Sequence, residues 1–453
     1  MNLSDPVQDA AADTQGLFAP GRRAACIGAI ALISMLAFEA IAVATAMPAV
    51  AEALNGLPLY ALAFGATLAT SVIGMTVAGQ LCDKRGPYRA SLLGLAAFLL
   101  GLLFAGFASS MAVLVLGRAL QGLGSGVLGV ALYVGVGRVV PARLHPKMFA
   151  MFAGAWVLPG LLGPALASGL VHWFGWRAVF LAVAAAVPVA ALAMLPALKR
   201  VGSGTGEALR WGALRWAVLA SVGALMLHGA SQREGVSAGL LFAAGGVLAL
   251  FAARRLLPAG TLTAARGLPT VVLLRGFIAA AFASAEAFLP LLLTQHFGWS
   301  LTQAGIALSA GAVTWSIGSA VQARVQDEGL RRRLLPTGFA VAAGGLGVVM
   351  LPVVVEALPS GLVLAGWIAM GLGIGLSFPM LSVLLLKLSP PEQQGANTSS
   401  LQLSDALVSS AALGGAGLLF DPATRQVLPV LAMACALAAA AAVVSPRAWR
   451  PAR

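Results

Sequence analysis

Apolar blocks follow one another from Ala24 to Val444, separated only by short polar segments. Each block holds about 20 residues, enough for a helix to cross a hydrocarbon layer of about 30 Å. The pattern predicts fourteen spans, near 24–48, 59–81, 90–109, 111–137, 147–171, 177–198, 214–231, 235–253, 268–295, 302–325, 334–356, 361–387, 395–420 and 426–444. Gly and Pro inside these blocks are compatible with membrane helices, because neighbouring helices satisfy the freed backbone groups. The fold class expected is an all-α integral membrane protein.

Spans 7 and 8 are short and joined by the tight turn SQREG (231–235), and the polar stretch KRVGSGTGEALR (199–210) precedes them. They read as a hairpin inserted between two six-helix halves. The organisation expected is a cytoplasmic tail (1–23), an N-terminal six-helix bundle (24–198), a cytoplasmic linker (199–213), a two-helix hairpin (214–257), a C-terminal six-helix bundle (258–444) and a second cytoplasmic tail (445–453). The halves resemble each other. GLGSG at 122–126 and GLGIG at 371–375 are each followed by a proline at the same distance, Pro141 and Pro390, and FEA at 38–40 is matched by AEA at 285–287. Duplicated halves of this kind place a substrate site between them, near the bilayer midplane.

Composition sharpens the class. Of 453 residues, 60% are hydrophobic and 9% charged, against roughly a quarter charged in a soluble domain. The net charge of +13 raises nucleic acid as a partner, but Lys and Arg fall in alternate loops, the positive-inside pattern. With the N-terminus in the cytoplasm, 23 of 28 lie on the cytoplasmic side. The exceptions are Arg177, Arg233 and Arg425 on the far side, and Arg118 and Arg275 within helices. Both termini are therefore expected in the cytoplasm of a plasma (inner) membrane. Cys26, Cys82 and Cys435 are scattered, so no metal site or disulfide framework is expected. The histidines (His145, His172, His228, His296) read as surface residues. The chain offers no P-loop, Ser-His-Asp or metal constellation, so neither an ATP-driven pump nor an enzyme is expected.

Four patches carry a family resemblance. GQLCDKRGPYR (79–89) follows span 2, and RALQGLG (118–124) lies in span 4. GLLGPALASG (160–169) lies in span 5, and in span 1 Glu39 precedes Pro48 by nine residues. Together they resemble the major facilitator superfamily, and more narrowly its fourteen-helix drug:proton antiporter branch. Departures are Glu39 for the usual Asp, Ile41 and Ala44 for a polar pair, Pro87 and Tyr88 for a basic pair, and Ala167 and Ser168 for Gly-Gly. The resemblance implies a proton-driven exporter working by alternating access, fuelled by the proton gradient without a cofactor. The partners it implies are the lipid bilayer, protons and a small molecule, with no nucleic acid, and the chain is expected to act as a monomer.

The residues support this physically. Glu39 lies about 22 Å along its span, where a charged carboxylate costs at least a few kcal/mol. A carboxyl group alternately wet and dry binds and releases a proton; the other reading of Glu39 is a structural acid paired permanently with an arginine. Glu286 is its counterpart in span 9. Arg275, three turns earlier and about 16 Å away, reads equally as a snorkelling interface residue. Asp405, among Ser and Gln in span 13, reads as a cavity acid or a helix-end acid. Arg118 needs an acid partner or must reach water, and Glu39 is proposed as that partner; the resemblance ties Arg118 to proton coupling. Gly79, Asp83, Lys84, Arg85, Gly86 and Arg89 read as a conformational latch, with Asp83 pairing with basic groups or capping the N-terminus of a facing helix, or as a topology-setting basic cluster. Gly160, Gly163, Pro164 and Gly169 read as a kinked, close-packed gate helix or ordinary small-residue packing. Gln121, Trp156, Phe288, Trp315 and Phe378 are weaker candidates for substrate contacts. The leading function is export of a lipophilic, cationic small molecule; a proton-coupled metabolite importer and a lipid transporter are the alternatives.

Overall fold

The computed structural model describes residues 16–56, 59–202, 211–230, 233, 235–420 and 426–449. Most of the N-terminal tail, linker residues 203–210 and the last four residues lie outside these. The described residues form fifteen α-helices: α1 Arg23–Ala53, α2 Tyr60–Arg85, α3 Pro87–Gly106, α4 Met111–Val139, α5 His145–Gly154, α6 Val157–Phe174, α7 Arg177–Arg200, α8 Trp211–Ala230, α9 Gly235–Leu256, α10 Leu268–Leu291, α11 Leu301–Arg324, α12 Glu328–Val354, α13 Gly361–Leu388, α14 Gln394–Leu419 and α15 Leu428–Val444. Thirteen stretches are long and apolar enough to cross a membrane; α5 and α6 count as one of them, and α14 is not among them.

The fifth span was expected as one helix kinked at Pro164. The chain breaks instead at Ala155 and Trp156, between α5 and α6. Pro159 accounts for this, since a proline ring clashes with the carbonyl four residues earlier, here that of Ala155. Pro164 sits inside α6 without ending it.

α4 packs on α2 and α3, and α13 packs on α11 and α12. Both contacts are made backbone to backbone through glycine. A Cβ on Gly122 or Gly126 would lie 2.2 or 2.3 Å from the carbonyl oxygen of Thr67 or Ser71, and one on Gly371 or Gly375 would lie 2.3 or 2.1 Å from that of Gly311 or Trp315. Side-chain bonds repeat as well. Thr70 Oγ1 donates to the Ala119 carbonyl at 2.7 Å, and Thr314 Oγ1 to the Ile368 carbonyl at 3.0 Å. α1 packs on α6 and α7, as α10 packs on α14 and α15. The contact pattern of α1–α7 thus recurs in α10–α15. Small residues at such crossings let helices attract by close dispersion contact where lipid supplies no hydrophobic drive.

α8 and α9 pack on each other, and both touch α14 while α8 also touches α2. Ser221 Oγ donates to the Ala69 carbonyl at 2.7 Å, and Ser400 Oγ to the Leu256 carbonyl at 3.2 Å.

Glycines in the crossings are expected to be far less tolerant than those facing open space. Gly126→Leu and Gly375→Leu each force backbone apart, costing at least the ~1–3 kcal/mol of an overpacked core. Gly344→Leu and Gly347→Leu meet nothing within 4 Å and should leave folded yield unchanged. Size-exclusion profiles of solubilised variants measure the contrast.

Candidate functional site

Glu39 and Arg118 are 5% and 4% exposed, deep within α1 and α4. Arg118 Nη1 donates to Glu39 Oε1 and to Gln121 Oε1. Gln121 lies one turn after Arg118 on the same helix, so the two side chains share a face. Gln121 is therefore part of the ion-pair network and is itself fully buried. The pair leaves Arg118 Nε and Gln121 Nε2 buried without hydrogen-bond partners.

A second pair stands in the other half. Arg275, on α10, donates from Nε to Asp405 Oδ2 of α14 at 3.1 Å and from Nη1 to Ser382 Oγ at 3.1 Å. Its guanidinium lies 3.3 Å over the Phe378 ring. Arg275 is 4% exposed, so the snorkelling reading fails: the chain gives it an acid, an aromatic face and a hydroxyl inside the protein. Asp405 keeps 29% of its side chain accessible, which fits the cavity reading better than the helix-end one.

Glu286 is exposed although it lies within an apolar helix. No hydrogen bond or ion pair reaches it among the described residues. One turn earlier, Phe282 stacks on Trp367 with centroids 5.5 Å apart and meets Trp315 edge-on at 5.0 Å. Trp315 in turn meets Phe378 at 5.3 Å. Helix geometry puts Arg275, Phe282 and Glu286 on one face of α10, so an aromatic column runs between the Arg275–Asp405 pair and Glu286. Trp315 and Phe378 belong to it. Phe288 does not, and packs on Phe420 at 5.3 Å; Trp156 stands 51% exposed at the α5–α6 break. Phe282 and Trp367 were missed. The sequence held a signal for Trp367: RALQGLG and WIAMGLG are equivalent stretches of the two repeats, so Trp367 stands where Arg118 stands.

At the basic end of the helices, Asp83 is 7% exposed. Its carboxylate accepts from the backbone N–H of Gly395 at 2.7 Å and of Ala396 at 2.8 Å. These are first-turn donors of α14 with no partner inside the helix, at the positive end of its dipole. Gly79 permits the approach, since its Cβ would lie 2.9 Å from the Gly395 carbonyl oxygen. Gly86, at φ +81°, turns the chain between α2 and α3. Lys84, Arg85 and Arg89 are exposed, and among the described residues the Asp83 carboxylate sits on a helix terminus rather than in a basic cluster. His145, expected at the surface, is 7% exposed with Nε2 2.8 Å from the Val140 carbonyl oxygen.

The gate motif is not close-packed. Gly163 alone meets another helix, with its Cβ position 3.0 Å from Ile41 Cγ2; Gly160 faces open space, and Gly169 faces only Trp173 of its own helix.

Alongside these paired repeats and buried ion pairs, residues 27–413 match the model of the Major Facilitator Superfamily. The chain belongs to the Major Facilitator Superfamily. Within the superfamily, a probable multidrug-efflux transporter of Mycobacterium tuberculosis is 25% identical over 439 residues, covering 92% of each chain. Multidrug resistance protein 3 of Bacillus subtilis is 31% identical over 168 residues, 37% of this chain and about a third (32%) of that protein. The human organic anion transporter MFSD10 has the same fold, with a TM-score of 0.69 at 15% identity over 94% of this chain and 99% of its own. Members of the superfamily are transporters, and the chain is not an enzyme.

Breaking the Glu39–Arg118 pair one side at a time leaves a buried charge alone, at a cost of about 3–5 kcal/mol. Glu39→Leu and Arg118→Met should each lower the melting temperature in detergent, and the double variant should recover most of that loss. A double variant as unstable as the sum of the singles would show that the pair is not coupled.

Proposed function

We propose that this chain is a secondary active transporter of the fourteen-helix drug:proton antiporter branch, exporting amphipathic, lipophilic and cationic small molecules in exchange for protons. α14 is its fourteenth span. At 26 residues it is long enough to cross, and its polar side chains are turned inward: Asn397, Thr398, Ser399, Ser400, Ser404 and Ser410 are buried. Lipid does not meet them, which is why a hydropathy criterion passes over the helix. The two six-helix groups act as bundles that rock about the site between them, and the positive-inside rule puts the basic end and both termini in the cytoplasm of the plasma (inner) membrane.

In this reading the structure is an outward-facing state. Contacts between the halves gather at the basic end, where Asp83 holds α14 and where Gly137 approaches Leu386. Glu286 lies toward the other end of α10 and is open. The observation that carries the proposal is the contrast between the two glutamates: Glu39 is sealed against Arg118, while Glu286 stands exposed and unpaired beside aromatic rings. A carboxylate beside aromatic faces is a site for a lipophilic cation. When the cation leaves to the outside, a proton takes its place on the acid. Protonation of Glu39 removes the charge that holds Arg118, so the α1–α4 contact differs between protonated and ionised states. Differential affinity of the two conformations for proton and cation is sufficient for exchange. The multidrug-efflux relatives support this reading.

Proteoliposomes with an imposed pH gradient test it, using tetraphenylphosphonium as the cation. Wild-type protein should drive gradient-dependent efflux, and Glu39→Gln should abolish the gradient dependence. Glu286→Gln should raise the KM for the cation more than it lowers the maximal rate. Gradient-driven efflux unchanged in Glu39→Gln would sink the assigned role.

A further inference from the structure

The two groups of helices meet along two seams, α2 with α14 and α5–α6 with α11. The first is covered by the hairpin. Val72 of α2 and Leu403 and Leu407 of α14 share a buried apolar cluster with Ala224, Leu227 and Ala252 of α8 and α9. The second is its counterpart in the repeat; α13 touches both α5 and α11 there, but among the described residues neither hairpin helix packs on it.

The walls of the bare seam are open. α6 buries only Pro159, Gly163 and Ala167, the stripe in which Gly163 meets α1. Gly160 on α6 and Gly305 on α11 are exposed, with no atom within 4 Å of a built Cβ. One helix separates this seam from the aromatic column. On α11, Ser316 Oγ lies 4.0 Å from the Cβ position of Gly154 of α5 and is buried without a hydrogen-bond partner, while the preceding residue, Trp315, stands in the column.

The seams also differ in how they are held. Asp83 lies in the last turn of α2, and Asp327 lies just after α11. The second residue of α14 is Gly395, whose N–H holds Asp83; the second residue of α5 is Pro146, which has no N–H to give. Asp327 instead caps the helix that follows it, α12, accepting from Leu330 N at 2.9 Å and Gly329 N at 3.3 Å. The covered seam is therefore latched by a carboxylate and the bare one is not.

We propose that the seam between α5–α6 and α11 is a lateral portal, through which a membrane-dissolved amphiphile passes between lipid and the aromatic column, while the hairpin seals the other seam. This rests on the reading of the chain as a transporter of lipophilic small molecules. The test is photolabelling of the full chain in lipid membranes with an azido derivative of tetraphenylphosphonium, in competition with excess tetraphenylphosphonium. Competable label should fall within 154–166 and 303–317. Competable label confined to the hairpin, α2 and α14, or none within the seam segments, overturns the portal. In parallel, Gly160→Trp and Gly305→Trp should slow efflux about tenfold. Gly239→Trp, an equally open glycine on the hairpin, should leave it unchanged; equal rates in all three variants overturn the portal and leave export standing. Competable seam label in a protein that shows no proton exchange leaves the portal standing and overturns the antiport mechanism.

Discussion

An ionised side chain inside a bilayer must find its partner inside the protein, because lipid offers none. The cost of leaving it alone is several kcal/mol, comparable with the whole margin by which a protein is folded. This constraint sets where α1, α4, α10 and α14 stand. Arg118 is held by Glu39 across the α1–α4 contact, and Arg275 by Asp405 across the α10–α14 contact. The two halves reach that solution with different residues. The place of Arg118 in the first repeat is taken by Trp367 in the second, and the arginine of the second half sits on α10 instead. What was freed at the Trp367 position became part of an aromatic column, with Glu286 unpaired beside it. The first half therefore holds one closed ion pair, while the second holds an ion pair and, beside it, an open acid.

Rigidity and movement are divided between kinds of contact. Within each half, backbone meets backbone at glycine, and no side-chain rotation can loosen that packing. Between the halves, the hold at the basic end includes two hydrogen bonds that Asp83 accepts from a helix terminus, a kind of contact for which water can substitute. The hairpin is fixed to one helix of each half by single serine hydroxyls and an alanine-rich surface, so small apolar contacts can slide while keeping lipid out.

Much of this was legible in the sequence because periodicity and charge placement are local signals. Apolar run lengths gave the helices, the repeated GLG motif gave the duplication, and a lone Arg in an apolar run demanded an acid, which Glu39 supplies. A helix terminus was one of two partners legible for Asp83, the other being the basic residues beside it, but which helix supplies it was not, since helix termini carry no residue signature. Arg275 was misjudged because its distance from Glu286 on the same helix hid Asp405, 130 residues later. The glycines of the α6 motif look the same in sequence whether they face a helix or open space; only the structure shows Gly160 facing nothing. The α5–α6 break came from Pro159 although Pro164 stood in the recognisable motif.

The central claim is that an acid inside the protein exchanges its proton for substrate. Purified protein in weakly buffered detergent, mixed with tetraphenylphosphonium in the presence of a pH indicator, reports this directly. Wild-type protein should release protons on binding, and Glu39→Gln combined with Glu286→Gln should bind or fail to bind without release. Cation binding to wild-type protein with no proton released, at any pH between 5 and 8 where binding is measurable, would contradict the account.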